Sequence, residues 1–462
     1  MQLGWVALLL AVAAGCKESA APHGERPKDP PQAKQEGRPP LVGVHSCSGR
    51  GCHAAFEQPG ADPSPSRSSF TRWLHHDPHA RAYQVLLEPL AQKMGKELGV
   101  DVTTEPRCLV CHCTPPLASR NDDWARQERT FGVGCEACHG PARDWLAPHP
   151  SAAWQHMLGE EKQEKYGLTN LGSQAVRAGV CAGCHVGAPA DPANGLSARD
   201  MNHDFIAAGH PRLMFEYSAF LANEPKHWKE KDARPDFDVR AWLVGQAVTA
   251  KAALDLLADR AGADADRAPE KGPGRPWPEL SEYDCYACHH TLDRPAWRQR
   301  RGYPAKPGSL EMSQWAFALL PVAERAANRP ATNLAGLRRQ MREPVPPAPT
   351  VRRDALALAK SLAALATQLE KKTYNKAAAA RLRKDLIAAY RPMDMPDWDV
   401  VEQVVLGLQA LQTADPDPRR AQVVQDLLRK LAFPPAHNSP AAFQWPPVRE
   451  KDLDALFGKL GN

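Results

Sequence analysis

The sequence predicts a mainly α-helical protein with extensive loops, in which a front region is wound around bound groups and is followed by a C-terminal helical bundle. Three observations carry this prediction. Five short stretches set a histidine directly after the second of two cysteines: CSGRGCH from Cys47 to His53, CLVCH from Cys108 to His112, CEACH from Cys135 to His139, CAGCH from Cys181 to His185 and CYACH from Cys285 to His289. Between them Gly, Pro, Asp and Trp are abundant, and long helical periodicity is confined to residues 80–98 and 239–257. Beyond Ser309 the character changes, and leucines and valines recur at helical spacing.

Four of the stretches read CxxCH, the signature of c-type haem attachment, and the first is the same device with two extra residues between its cysteines. The spacing has a chemical reason. Two thiols must reach two vinyl groups on one edge of a porphyrin, while the next residue turns its imidazole to the iron. Composition alone yields roughly a hundredth of one CxxCH in a chain of this length, so four matches are a strong signal. Cys108, Cys111, Cys135, Cys138, Cys181, Cys184, Cys285 and Cys288 are therefore candidate thioether anchors for four haem c groups, with Cys47 and Cys52 for a fifth. His53, His112, His139, His185 and His289 are the candidate proximal ligands. The bland alternative is a zinc ribbon, for which Cys108, Cys111, Cys135 and Cys138 have suitable spacing. Zinc, however, does not require a histidine after each second cysteine, and all five stretches have one.

Taken in order, residues 1–15 form a short apolar run, too short to span a bilayer, that reads as a secretory signal of lipoprotein type. Ala13, Ala14 and Gly15 precede Cys16 as in a lipobox, which makes Cys16 the candidate lipidation site, although Ala13 stands where Leu is usual and no basic residue precedes the run. Residues 16–40 are polar and proline-rich and read as a disordered tether. Residues 41–304 form the multihaem cytochrome c domain, in which bound macrocycles supply much of the apolar surface to be buried. Residues 305–462 form an α-helical domain of packing, docking or lid character, with proline clusters at 344–349 and 416–418 separating its segments. There Asp399 and Glu402 resemble a capping box, and Leu356, Leu362, Leu365 and Leu369 mark one helix face. The expected setting is an exported protein, in the periplasm or tethered to the outer membrane of a Gram-negative bacterium, with a lipid anchor as its sole membrane attachment. A formal net charge of +5 gives no argument for a nucleic-acid partner. Of 12 cysteines, ten sit in the motifs, which leaves Cys16 and Cys113 and no evident pair for a structural disulfide.

Each motif supplies one of two axial ligands, and twelve further histidines are available for the other. His79 lies in WLHHDPHARAY, where Pro78 fixes the entry to a helix. His149 follows the Cys135 motif closely enough to fold back on it. His203 and His210, in NHDFIAAGHPRL, share a face if that stretch is helical, and His290 can reach a neighbouring haem. These five are the candidate distal ligands; His45, His75 and His76 rank below them, and His227 is given no role.

These residues resemble a family. WLHHDPHARAY ahead of CLVCH, the pattern GVGCEACHGPA, CAGCH with NHDFIAAGHPRL after it, and DCYACHH are together similar to multihaem cytochromes of the cytochrome c-554 type, related in haem arrangement to hydroxylamine oxidoreductase and pentahaem nitrite reductase. The resemblance covers about residues 44–292. It implies closely packed haems, mostly with two histidine ligands, and distal ligands at His79, His149, His203 and His210. The departures are a fifth candidate site where that type carries four haems, the longer Cys47 loop, and the absence of a CxxCK motif. The expected function is electron transfer between redox partner proteins, with no catalytic residue. The alternative is a reductase or oxidase of small nitrogen or sulfur compounds at one five-coordinate haem, with the Cys47–His53 site as its candidate.

Overall fold

The computed structural model describes residues 41–56, 65–230, 232, 234–262, 277–289, 309–390, 398–432 and 450–460. The apolar leader, Cys16, the tether and His290 lie outside them. Among the described residues the architecture is helical, and strand pairing is limited to isolated bridges such as Ala188 with Arg199 and Tyr283 with Met312.

The front half is built of short helices joined by loops: α1 (Ser69–His76), α2 (Pro89–Leu98), α3 (Pro106–His112), α4 (Asp123–Arg129), α5 (Cys135–His139), α6 (Ala152–His156), α7 (Gly159–Tyr166), α8 (Gln174–His185), α9 (His203–Ala208), α10 (Tyr217–Asn223), the long α11 (Phe237–Gly262) and α12 (Cys285–Cys288). The C-terminal half comprises α13 (Leu320–Ala326), α14 (Ala335–Met341), α15 (Ala348–Lys371), α16 (Lys376–Tyr390), α17 (Trp398–Ala410), α18 (Pro418–Leu431) and α19 (Glu450–Leu460).

Helix starts follow the cap residues. Asp122, Ser151, Ser173, Asn202 and Asp417 each accept a backbone N–H of the first turn that follows. Proline sets further starts, and the periodicity over residues 80–98 accordingly does not make one helix. It is divided into 3₁₀ turns at Pro78–Arg81 and Gln84–Leu87 and then α2, because Pro89 has no N–H to continue a preceding helix and suits a first turn. The shared face expected for His203 and His210 does not form either. Helix α9 ends at Gly209, whose φ of 120° an L side chain rarely adopts, and His210 lies beyond it.

The largest core is not confined to the C-terminal half. It runs from Ala178 in α8 to Leu460 in α19, with Trp242, Leu254 and Leu257 of α11 fully buried inside it. Helix α11 packs chiefly along α15 and also meets α8, α10, α13 and α17. Leu362, Leu365 and Leu369 of α15 are buried, whereas Leu356 faces out. The two halves are also joined by polar contacts. Glu370 of α15 accepts the Ser173 hydroxyl at 2.9 Å and the Gln174 N–H at 2.6 Å, closing the start of α8. Asp236 pairs with Arg240 and accepts the Tyr374 N–H at 2.7 Å. The Cys181 motif at the end of α8 is thus held by the C-terminal helices, and the described residues of both halves fall in one compact unit. No helix of the described residues is long and apolar enough to cross a membrane.

Candidate haem sites

Four of the five motifs lie wholly or largely on helical turns, with Cys, Cys and His at i, i+3 and i+4 on one face, as one edge of a macrocycle requires. In α3, Glu105 accepts the Arg107 N–H and Pro106 fills the first turn. Helix α5 is a single turn between Gly134 and Gly140, and Gly140 (φ 80°) ends it where a Cβ would lie 2.6 Å from the Gly167 carbonyl oxygen. The Cys47 motif differs. Its first cysteine closes a 3₁₀ turn and the rest is a turn in which Cys52, His53 and Ala54 all donate backbone N–H groups to the Gly49 carbonyl.

The motifs are packed against one another by buried carboxylates. Glu136, inside CEACH, accepts the backbone N–H groups of Val42 at 3.0 Å, Gly43 at 2.9 Å and Ala142 at 2.8 Å, while Glu128 accepts that of Val44 at 3.0 Å. This clasp brings the Cys47 thiol close to that of Cys135. A second cross-motif contact joins Cys111 and Cys184. Burial pushes the thiols of Cys108, Cys181 and Cys113 up to about 11, 12 and 12. Cys113 is fully buried beside His112 and packs as an apolar group.

The motif histidines do not stand alone. His53 faces His149 with ring centres 6.1 Å apart, His112 faces His210 at 6.3 Å, His139 faces His227 at 6.3 Å, His185 faces His79 at 6.0 Å, and His289 faces His203 at 6.3 Å. With metal–nitrogen bonds of about 2 Å on each side, and each nitrogen about 1 Å from its ring centre, two imidazoles sharing one metal ion have centres about 6 Å apart. All five pairs meet that spacing.

Proton placement agrees. Nδ1 of His112 donates to the Ala82 carbonyl at 2.7 Å and Nδ1 of His210 to that of Pro211 at 2.8 Å, and the Nδ1 atoms of His53 and His149 likewise face the carbonyls of Ser66 and Leu146. A carbonyl only accepts, so the proton sits on Nδ1 and the Nε2 lone pair is free for a metal. Burial lowers His139 and His185 to about 4 and depresses His112, His210 and His227, which keeps these rings neutral, as ligation demands. His79 is raised instead, first by its hydrogen bond to Asp77.

Between the pairs lies a cavity of 2590 Å³, lined by Cys47, Cys52, Cys108, Cys111, Cys135, Cys138, Cys181 and Cys184 together with eight histidines of four pairs. It is several times the roughly 300–1,000 Å³ of a site for one small molecule. The fifth pair, His203 with His289, lies outside that lining, next to Cys285. There Glu279 accepts the His203 N–H at 2.8 Å and Arg260 pairs with Glu282, three residues before Cys285. The residues present therefore fit covalently held macrocycles between paired imidazoles. A zinc ribbon does not assemble: among the described residues, metal-type ligand atoms of three or more groups within 4.8 Å occur at Asp77, His79 and Glu224, not at Cys108, Cys111, Cys135 and Cys138.

Of the histidines singled out in the sequence, His79, His149, His203 and His210 each face a motif histidine. His45 instead packs edge-on to Phe131, and His75 lies against His76. His227 is the partner that sequence reasoning missed. It belongs to no motif and meets His139 only through the tertiary fold.

Near the Cys285 motif, Arg212 pairs with Asp399 at 2.7 Å and approaches the Cys285 sulfur at 3.7 Å. Asp399 and Glu402 thus do not act as a capping box, since α17 begins at Trp398 and Asp399 turns to Arg212. Burial, then the Asp399 charge, pushes Glu402 up to about 8. The folded form therefore keeps the Glu402 proton between about pH 4.5 and 8, where the unfolded chain has released it, and stability falls as pH rises through that window. Glu402→Gln is expected to remove on the order of 2–4 kcal/mol of that fall, read as a flatter profile of melting temperature against pH. An unchanged profile counts against a buried, protonated Glu402.

A chain with such motifs and paired imidazoles is a c-type cytochrome. Residues 48–140 match the family described as cytochrome c554 and c-prime. Over 166 residues, 34% of this chain, the sequence is 25% identical to the cytochrome c-554 of Nitrosomonas europaea, and the match spans 63% of that protein, less than two thirds of its length. No solved structure matches. Residues 48–140 of this chain are thus similar to the cytochrome c-554 family.

Proposed function

We propose that the chain holds five covalently attached haems, each between two histidines, and relays electrons between redox partner proteins in the cell envelope. The observation that carries this reading is the set of five imidazole pairs with ring centres 6.0–6.3 Å apart. Haem iron, when bound, supplies one-electron exchange between ferric and ferrous states. The chain's part is to fix the spacing, fill both axial positions and exclude water. Filling both positions leaves no room for a substrate, and His149 opposite His53 is what disfavours an open site at the Cys47 motif, the alternative enzymatic reading.

Contacts between motifs support a linear order. The Cys47 motif touches the Cys135 motif, the Cys111 thiol lies beside Cys184, and Cys138 lies near Cys181 and Cys184. Arg212, two residues beyond His210, reaches Cys285. The order is then the Cys47, Cys135, Cys181, Cys108 and Cys285 motifs. Cys52 at one end, and Cys288 and His289 at the other, are exposed, which suits exchange with partners there. Export and lipid attachment at Cys16 belong to the same reading and rest on residues 1–16 of the sequence.

The test is maturation of the full chain with haem-attachment machinery, then intact mass and carbon monoxide binding. Five haem increments are expected, falling to four in the Cys47→Ser/Cys52→Ser variant, and the reduced native protein is expected to bind no carbon monoxide. One bound carbon monoxide per chain turns the argument toward the enzyme.

A further inference from the structure

The five ring pairs differ in what stands behind them. Nδ1 of His53, His112, His149 and His210 faces a neutral backbone carbonyl. Nδ1 of His79 instead donates to a carboxylate, Oδ1 of Asp77, at 2.9 Å. Asp77 is 3% exposed, and the same oxygen also accepts the His79 backbone N–H at 2.9 Å, so the carboxylate is held from two sides. Glu224 brings a second carboxylate into the group, with ligand atoms of all three residues within 4.8 Å. On its other side His79 lines the large cavity and faces His185.

A buried anion on Nδ1 draws the imidazole proton toward itself and gives the opposite nitrogen more donor strength, an effect expressed in low dielectric and weakened in water. A stronger donor favours ferric over ferrous iron, and a fixed negative charge nearby acts in the same sense. We propose that Asp77, acting through His79, sets the centre between His79 and His185 at the lowest reduction potential of the five. This inference rests on the five-haem reading above. In the order of motifs given there, the His79–His185 pair is an interior position, so the chain carries an uphill step in its middle and retains electrons toward its two exposed ends.

Spectroelectrochemical titration of the mature full chain tests it, with Asp77→Asn as the first variant. Asparagine keeps an acceptor oxygen for both His79 N–H groups and removes only the charge. The potential of the His79–His185 centre is expected to move upward most, with a smaller rise at the His139–His227 pair, whose His227 also feels the Asp77 charge. Asp77→Glu, which keeps the charge, is expected to leave the first of these low. His79→Met labels the same centre independently, since methionine ligation raises the potential, and the wave it displaces is expected to be the lowest in the unsubstituted protein. An Asp77→Asn protein with five haems, no carbon monoxide binding and five unmoved potentials overturns the role of Asp77. So does a His79→Met label that falls on any wave but the lowest. Fewer than five haems in the unsubstituted chain, or carbon monoxide bound to it, overturns the underlying reading instead.

Discussion

Replacing His227 by alanine is expected to convert one centre from six to five ligands, and carbon monoxide binding to the reduced protein to rise from none to one per chain. His227 faces His139 at 6.3 Å and lines the cavity beside the Cys135 motif. Its removal leaves the candidate anchors Cys135 and Cys138 and the candidate proximal ligand His139 in place, so the proposed haem count of five is expected to be unchanged by mass. Trp228, which packs edge-on against His227 with ring centres 5.1 Å apart, still walls that side of the site. A high-spin ferric signal should accompany the carbon monoxide binding. If the variant binds none and remains fully low-spin, His227 is not an axial ligand and the pairing with His139 is mere packing.

The case of His227 also shows where sequence reading stops. A CxxCH motif is legible because its three functional residues share one helical turn, and local geometry alone brings them to one edge of a macrocycle. His79 and His149 were legible for a related reason, since Pro78 with Asp77 and the return of the chain after α5 fix them locally. His227 meets its partner through loops that no periodicity describes. The same limit applies to the fold. The stripes of α15 and α18 announce helices with one apolar face, whereas α11 is buried on nearly every side and presents no stripe from which to infer its neighbours. Its packing along α15 makes the C-terminal helices part of the frame that holds the Cys181 and Cys285 motifs, a relation that composition and spacing alone leave open.

That frame predicts a large loss of stability when Arg212 is replaced by methionine. The Arg212 and Asp399 side chains are 12% and 6% exposed, and their bond at 2.7 Å ties the segment after His210 to the first turn of α17. Arg212 also lies over the Trp315 ring, 5.9 Å from its centre, and Trp315 stacks on Trp398. Methionine fills similar volume but leaves Asp399 buried without this cation and close to Glu402, whose proton affinity Asp399 already raises. Breaking a buried pair from one side costs about 3–5 kcal/mol, because the charge left behind loses its counter-charge. Removing both charges by Arg212→Met/Asp399→Asn is expected to recover most of that loss, since the cost lies in burying the carboxylate without its counter-ion and not in the missing attraction. Thermal unfolding of the four proteins of this cycle, each with its haems attached, measures the coupling directly. A double variant no more stable than Arg212→Met alone would show that the tie works through packing against Trp315, with the carboxylate a bystander.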